Sequence, residues 1–519
     1  MAELKIGLMG KKVEGWQLLL EQEGIPYVIS PVDPSASEFS VLIICESSVE
    51  SNVQFVQNYL SAGGAVLCSA KTFSGISGVK CVDVFIRYLI EEPNSQFSGV
   101  GLIDLSTKAS LPQHANAMRT QNNRFAVFIG EYGGGKVIVL PFDAGGLLLD
   151  KRSTAKTFYT CHKRLPYENV SLVSKGNLFK LISRSLEILH HQRGLPYIHK
   201  WYYPNDLQTV FSWRIDTDYA NQEEITKHYY LANEFAIPAS WFVDVKNQQK
   251  FLDIFKEMVQ QEIGIHCHEH ETYADYTGNL QNIRKAVHVF EKNGLNAKGF
   301  AAPFGRWNDS LSKAIDELNF VYSSEFSYDY DNVPSFPYVN NKFTKALQMP
   351  VHPMSIGNLR GQGFDDKEMI EYFQSVLEKK ISNREPLFLY YHPKNNHERV
   401  VRYIFNFVNQ QNIKKVRMID FAQWWTKRCS KKIDFKLEQN SLSIHGPVSQ
   451  DDVWLHITKA DGAETFTPIK SNIDLSELQW TKCPQPNPLP EDIRRVYKFN
   501  PWILLQKLEN KTIGKIKHL

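Results

Sequence analysis

The stretch TVFSWRIDTD, residues 209–218, reads as an apolar strand that ends in two acids, Asp216 and Asp218. Side chains two apart on a strand leave the same face, so both carboxylates point toward one end of the sheet that the strand joins. Paired acids repel one another unless a cation holds them, and a divalent metal is the usual cation. The bland alternative has one aspartate capping the next helix and the other solvated. Outward from this stretch the pattern repeats. Strands in PASWFVDV, EIGIHCHEH, AKGFAAPF, FVYSSEF and PLFLYYHP alternate with helical segments EEITKHYYLANEF, QNIRKAVHVFEKNG, DSLSKAIDELN and DKEMIEYFQSVLEKK. Six or seven such units predict an α/β fold, a closed or nearly closed (β/α) barrel over residues 205–430, with functional residues at the carboxyl ends of its strands.

A chain of 519 residues exceeds what one hydrophobic core organises, so two or three domains are expected. Its 43% apolar and 22% charged residues and its formal charge of +3 are those of an ordinary globular protein and give no reason to expect nucleic acid as a partner. The opening MAELKIGLMGKK lacks the features of a secretory signal, and no later run has the length of a transmembrane helix. Seven scattered cysteines, Cys45, Cys68, Cys81, Cys161, Cys267, Cys429 and Cys483, show no CxxC spacing, which argues for a reducing, cytoplasmic protein without a disulfide framework.

Before the barrel, residues 1–195 alternate strand-like and helix-like runs (LKIGLMG, WQLLLEQEG, SVLIICE, VQFVQNYLSAGG, AVLCSA), the order of a parallel-sheet α/β domain. Within it FAVFIGEYGGGKVIVLPFD predicts a hairpin whose glycines, Gly133 to Gly135, allow positive φ. This domain loosely resembles the class I glutamine-amidotransferase-like fold. That family's activity needs a cysteine in a sharp elbow, and neither IICESS nor VLCSAK has the flanking glycines, so Cys45 and Cys68 read as core residues. HHQRGLPYIHKWYYPND reads as a linker packed against both neighbours. Residues 431–519 turn to short alternating runs, a small antiparallel β module, and end in PWILLQKLENKTIGKIKHL, a tail that docks as a helix or touches a membrane surface.

His266, His268 and His270 alternate in EIGIHCHEHETY, residues 262–273. His266 with His270 has the i, i+4 spacing that brings two imidazoles to one ion. His266 with His268 is the competing HxH pair of metal-dependent amidohydrolases, and a hydrogen-bonded polar surface is the third reading. Downstream, GFAAPFGRWND sets Pro303, Phe304 and Gly305 in a turn after a strand, and LFLYYHPKNN sets His392 at another strand end.

Taken in order, the aspartate pair, HxxxH, Pro-aromatic turn and strand-end histidine resemble the polysaccharide deacetylase family, carbohydrate esterase family 4, over Leu207 to about Arg428. The resemblance implies a distorted (β/α) barrel that removes an N-acetyl group from an amino sugar of a glycan or glycan precursor. It makes Asp218, His266 and His270 ligands of one divalent ion, zinc foremost, with cobalt, nickel or manganese as alternatives. Asp216 is then the general base and His392 the general acid, while Pro303 and Phe304 form the turn whose backbone helps hold the oxyanion. Thr217 separates two aspartates that are usually adjacent in the family, and Ala301 stands where an arginine usually pairs with the base. Arg214, two residues before Asp216 on the same face, is the expected replacement, with Arg306 the alternative. Two imidazoles and a carboxylate leave open positions, which is the pattern of a catalytic site. Trp213, Tyr219, Phe304, Trp307 and Tyr391 are candidate stacking surfaces for sugar rings. An HxH amidohydrolase and a catalytically weak carbohydrate-binding protein are the competing functions, the second favoured by Ala301.

Overall fold

The structure, a computed structural model, describes residues 2–31, 35–45, 49–448, 451–501 and 503. The tail from residue 501 onward therefore lies almost wholly outside the described residues.

Eight parallel strands form the curled sheet of the barrel, seven in one path and the two-residue Lys414–Lys415 beside the start of Val210–Asp216. From Val210–Asp216 the order runs through Ser240–Val243, Glu262–Ile265, Gly299–Ala301 and Tyr322–Ser324 to Leu347–Gln348, and Leu387–Tyr391 flanks the first strand on its other side. The ladder stays open between the two outermost strands, and His352 N–H donates to Phe388 O at 2.8 Å across that seam. Leu347–Gln348 has no alternation to read at two residues, which is why only its neighbours are visible in the sequence.

The period of two sorts each strand's side chains. Phe211, Trp213 and Ile215 join the apolar layer under the helices, as do Trp241, Val243, Ile265, Phe300, Leu387, Leu389 and Tyr391. The intervening residues Ser212, Arg214 and Asp216 are left for the lumen, where Phe242, Ala301, Tyr322, Phe388 and Tyr390 join a second core. Helices Gln222–Glu234 and Asp366–Ser382 each start in a capping box, Asn221 with Glu224 and Asp365 with Glu368. Asn221 is thus the cap after the first strand, and neither aspartate of the pair is used for it. At the closed end Glu262 is buried, accepting from Ser240 Oγ at 2.6 Å, Tyr322 Oη at 2.7 Å and Ile419 N–H at 3.0 Å.

The preceding nine-stranded sheet is parallel only in its first half. Tyr27–Ile29, Ile6–Met9, Val41–Ile44, Ala65–Ser69 and Gly135–Leu140 run parallel, after which Phe125–Tyr132, Ala117–Thr120, Cys81–Ile90 and Leu102–Pro112 continue antiparallel. The expected hairpin closes on Gly133 and Gly134, at φ 61° and 90°, while Gly135 already belongs to the second strand. Cys45 and Cys68 are buried, and burial pushes both thiols up, so neither is poised as a nucleophile.

Strands after residue 431 build two four-stranded sheets, and each takes one strand from far upstream. Ala2–Glu3 pairs with Asp434–Glu438, and Tyr197–Lys200, inside the stretch expected as a linker, pairs with Trp454–Thr458. One apolar core runs on from Ile6 through Ile198 and Tyr390 to Trp425, Leu442 and Leu455. No helix among the described residues is long and apolar enough to cross a membrane.

Candidate active site

Strand parity delivers the site to the carboxyl end of the barrel. Arg214 and Asp216 end the first strand on its lumen side, and Asp218 follows after Thr217. Thr217 points into the wall instead, where its hydroxyl lies 2.5 Å from Gln248 Oε1 and accepts from Asp244 N–H at 2.9 Å. The residue between the aspartates therefore fastens the loop that aims them.

Asp218 Oδ1 lies 3.0 Å from His266 Nε2 and 3.1 Å from His270 Nε2, and the two nitrogens are 3.2 Å apart. His266 Nδ1–H donates to the Ala301 carbonyl at 2.8 Å, which leaves Nε2 bare in the neutral ring. Ala301 thus supplies its backbone oxygen to the site. Burial works against charge on His266, but Asp216 and Asp218 outweigh it and raise its pKa; burial likewise opposes ionisation of Asp218, yet His392 and His266 hold its carboxyl well below the usual range.

This donor set fits a divalent ion. Ligands about 2.0–2.1 Å from a metal are spaced about 3.3 Å apart in a tetrahedron and about 3.0 Å apart along an octahedral edge, which brackets the triangle found here. His268 is not part of it: the strand ends at Ile265, and Cys267 at φ +108° breaks the alternation that an HxH pair needs. Tyr219 and Phe304, at φ 52° and 56°, are also left-handed, so three residues in strained backbone surround the triangle.

On one flank Arg214 Nε donates to Asp216 Oδ1 at 2.7 Å and Nη2 to Oδ2 at 2.6 Å, a bidentate pair with Arg214 only 1% exposed. Its remaining Nη1 donates to Ser324 O at 2.7 Å, and its guanidinium sits 5.5 Å from the rings of Phe242 and Tyr390. Arg306 is elsewhere, over the Phe304 ring and 3.6 Å from Glu271. On the other flank His392 Nε2 is 3.4 Å from Asp218 Oδ2.

Pro303–Gly305 forms a single turn in which the Phe304 ring meets His270 edge-on at 4.9 Å. Phe304 and Tyr219 are 57% and 54% exposed, the two aromatics of the expected set that stand open to a ligand. Trp213 and Tyr391 are core residues, and Trp307 packs on Tyr328 at 4.5 Å, outside the cavity lining. The cavity, about 440 Å³, is lined by Asp216, Asp218, His266 and His392 and also by residues with no sequence signal, Glu168, Asn358 and Asn395. Glu168 lies in LPYENVSLVS, where no motif or periodicity marks it.

Residues 212–323 match the family described as polysaccharide deacetylase. The matched residues lie within the barrel and make up less than half of the chain. Among solved structures the chain is similar to a Mycobacterium smegmatis protein assigned as a polysaccharide deacetylase (16% identity, TM-score 0.39, 44% of this chain and 93% of that one). It is also similar to the allantoinase PuuE (17%, 0.38, 44% and 93%) and to a CE4 family pseudoenzyme from Bacillus anthracis (14%, 0.32, 42% and 66%). No curated protein matches the chain.

Proposed function

We propose that the chain is a metal-dependent N-deacetylase that hydrolyses the N-acetyl group of an amino sugar in a glycan or glycan precursor, releasing acetate. The observation that carries this reading is the triangle of Asp218, His266 and His270, flanked by the Arg214–Asp216 pair on one side and His392 on the other. Asp218, His266 and His270 would hold the ion, zinc foremost; when bound it supplies a Lewis acid that polarises the acetyl carbonyl and acidifies water.

The chain's own residues handle the protons. Each Asp216 oxygen accepts one guanidinium hydrogen bond and keeps a lone pair for a water proton as that water attacks the carbonyl carbon. Arg214 orients the carboxylate while remaining too deeply buried to compete for substrate. The backbone N–H of Phe304, held in its left-handed turn, donates a hydrogen bond to the acetyl oxygen as negative charge develops there. His392, across Asp218 from the two ligating imidazoles, gives a proton to the amine nitrogen as the C–N bond breaks.

Acetate release from N-acetylglucosamine oligomers tests the reading. It is expected to stop after chelation and return with added Zn²⁺. Asp216→Asn and His392→Ala are expected to lower turnover by about two to four orders of magnitude with metal content unchanged, the scale of losing a general base or acid. A metal-loaded protein that releases acetate from no N-acetyl sugar would favour carbohydrate binding instead.

A further inference from the structure

Three carboxylates line the cavity, and the roles above use two. The third, Glu168, comes from outside the barrel, on strand Tyr167–Ser171, which pairs with Ser153–Thr157. That hairpin is fastened to the barrel at both ends. Ser171 N–H donates to Phe326 O at 3.2 Å, and the Gln362 amide acts as a strand neighbour to Tyr167, accepting its N–H and donating to its carbonyl, both at 2.9 Å.

Between those anchors Glu168 Oε1 accepts from Asn169 N–H at 2.7 Å and Oε2 from Asn358 Nδ2. A carboxylate has about four acceptor sites, so these two bonds leave capacity unused. On helix Ile356–Gly361, which carries Asn358, a Cβ at Gly357 would meet the Asn395 amide, so that amide lies close against the helix. Glu168, Asn358 and Asn395 thus line one wall of the cavity that Asp218 and His392 also line. Burial pushes the Glu168 carboxyl up to about 7, a cost that its hydrogen bonds from Asn169 and Asn358 offset only in part. Carboxylates and amides with spare hydrogen-bonding capacity are what vicinal sugar hydroxyls require.

We propose that Glu168, carried into the cavity by the N-terminal hairpin, is a specificity-determining residue that accepts hydrogen bonds from hydroxyls of the N-acetylated sugar, with Asn358 and Asn395 beside it. The inference rests on the deacetylase reading of the metal triangle, and it makes the N-terminal domain one wall of the substrate site.

Kinetics of the wild type, Glu168→Gln and Glu168→Ala on two probes test it: the N-acetylated β-1,4 tetramer of glucosamine, and p-nitrophenyl acetate, which carries no sugar. Glu168→Gln keeps an oxygen for Asn358 and so spares the docking contact. Both variants are expected to raise KM for the tetramer about tenfold or more, with kcat within about twofold and the p-nitrophenyl acetate rate unchanged. An unchanged tetramer KM in both variants overturns the proposal, as does an equal loss on both probes, which would make Glu168 a structural strut. If the wild type cleaves p-nitrophenyl acetate but neither cleaves nor binds the tetramer, the sugar subsite falls and the metal site stands. If it cleaves neither, the deacetylase reading fails and takes this proposal with it.

Discussion

Two histidines two residues apart in sequence have opposite fates here. His270 Nε2 closes the triangle with Asp218 and His266, whereas His268 lies beyond a left-handed Cys267 and contributes no donor. His270→Ala is therefore expected to abolish stoichiometric metal binding while His268→Ala retains it, as read by metal analysis of the purified proteins. Equal loss in both would return the site to the HxH arrangement. Arg214 gives a second prediction at this scale. Its guanidinium makes two bonds to Asp216 and another to Ser324, a geometry that an ammonium cannot copy. Arg214→Lys is expected to reduce kcat at least about tenfold with metal still bound, a loss worth about 1.4 kcal/mol of transition-state stabilisation. A wild-type rate would leave the pair with a purely structural role.

The turn Pro303–Gly305 shows what one element demands of its residues. Gly305 has φ +56°, and a Cβ there would collide with the Phe326 ring, so both backbone and packing call for glycine. Gly305→Ala is expected to destabilise the fold by at least about 1 kcal/mol and to lower p-nitrophenyl acetate turnover, because the displaced turn carries Phe304. Phe304→Ala removes an exposed ring and is expected to change stability by less than about 0.5 kcal/mol. Denaturant titrations of the two variants check the contrast, and equal stability would mean that the turn relaxes freely. The same element-scale logic explains Thr217: a fastening hydroxyl between the two acids lets each leave the lumen face.

Across the whole molecule, the C-terminal sheets are tied to the barrel through Glu464. Arg384 donates to it through Nη1 at 2.7 Å and Nη2 at 2.5 Å, and His456 Nε2 lies 2.9 Å away. Burial opposes its charge, but these partners outweigh burial and hold the carboxyl well below the usual range. A carboxyl depressed in the folded state adds stability above its unfolded pKa of roughly 4.3, and that stability is lost as pH falls toward the folded value. Glu464→Gln is expected to cost about 3 kcal/mol at pH 7, since it leaves Arg384 poorly compensated, and the gap to wild type is expected to narrow as pH drops below about 4. Unfolding measured at pH 7 and pH 3 tests this. A gap independent of pH would show that lost packing, not charge, is responsible.

What the sequence alone determined here is local and periodic. Alternation along TVFSWRIDTD and PLFLYYHP puts Arg214, Asp216 and His392 on the lumen side, and a histidine four residues after another can reach the same point when the strand stops between them. Those relations need only the two-residue period of a strand and one turn after it. The tertiary structure decided whatever depends on partners far along the chain. Ala2–Glu3 and Tyr197–Lys200 became strands because the C-terminal sheets offered edges to them, and Leu347–Gln348 did so because Tyr322–Ser324 did. Glu168 reached the cavity because a hairpin that precedes the barrel strands docks on the barrel through Gln362 and Phe326. A backbone edge or a docking surface satisfies hydrogen bonds and buries area whatever the sequence distance, so it leaves no period in the chain to read.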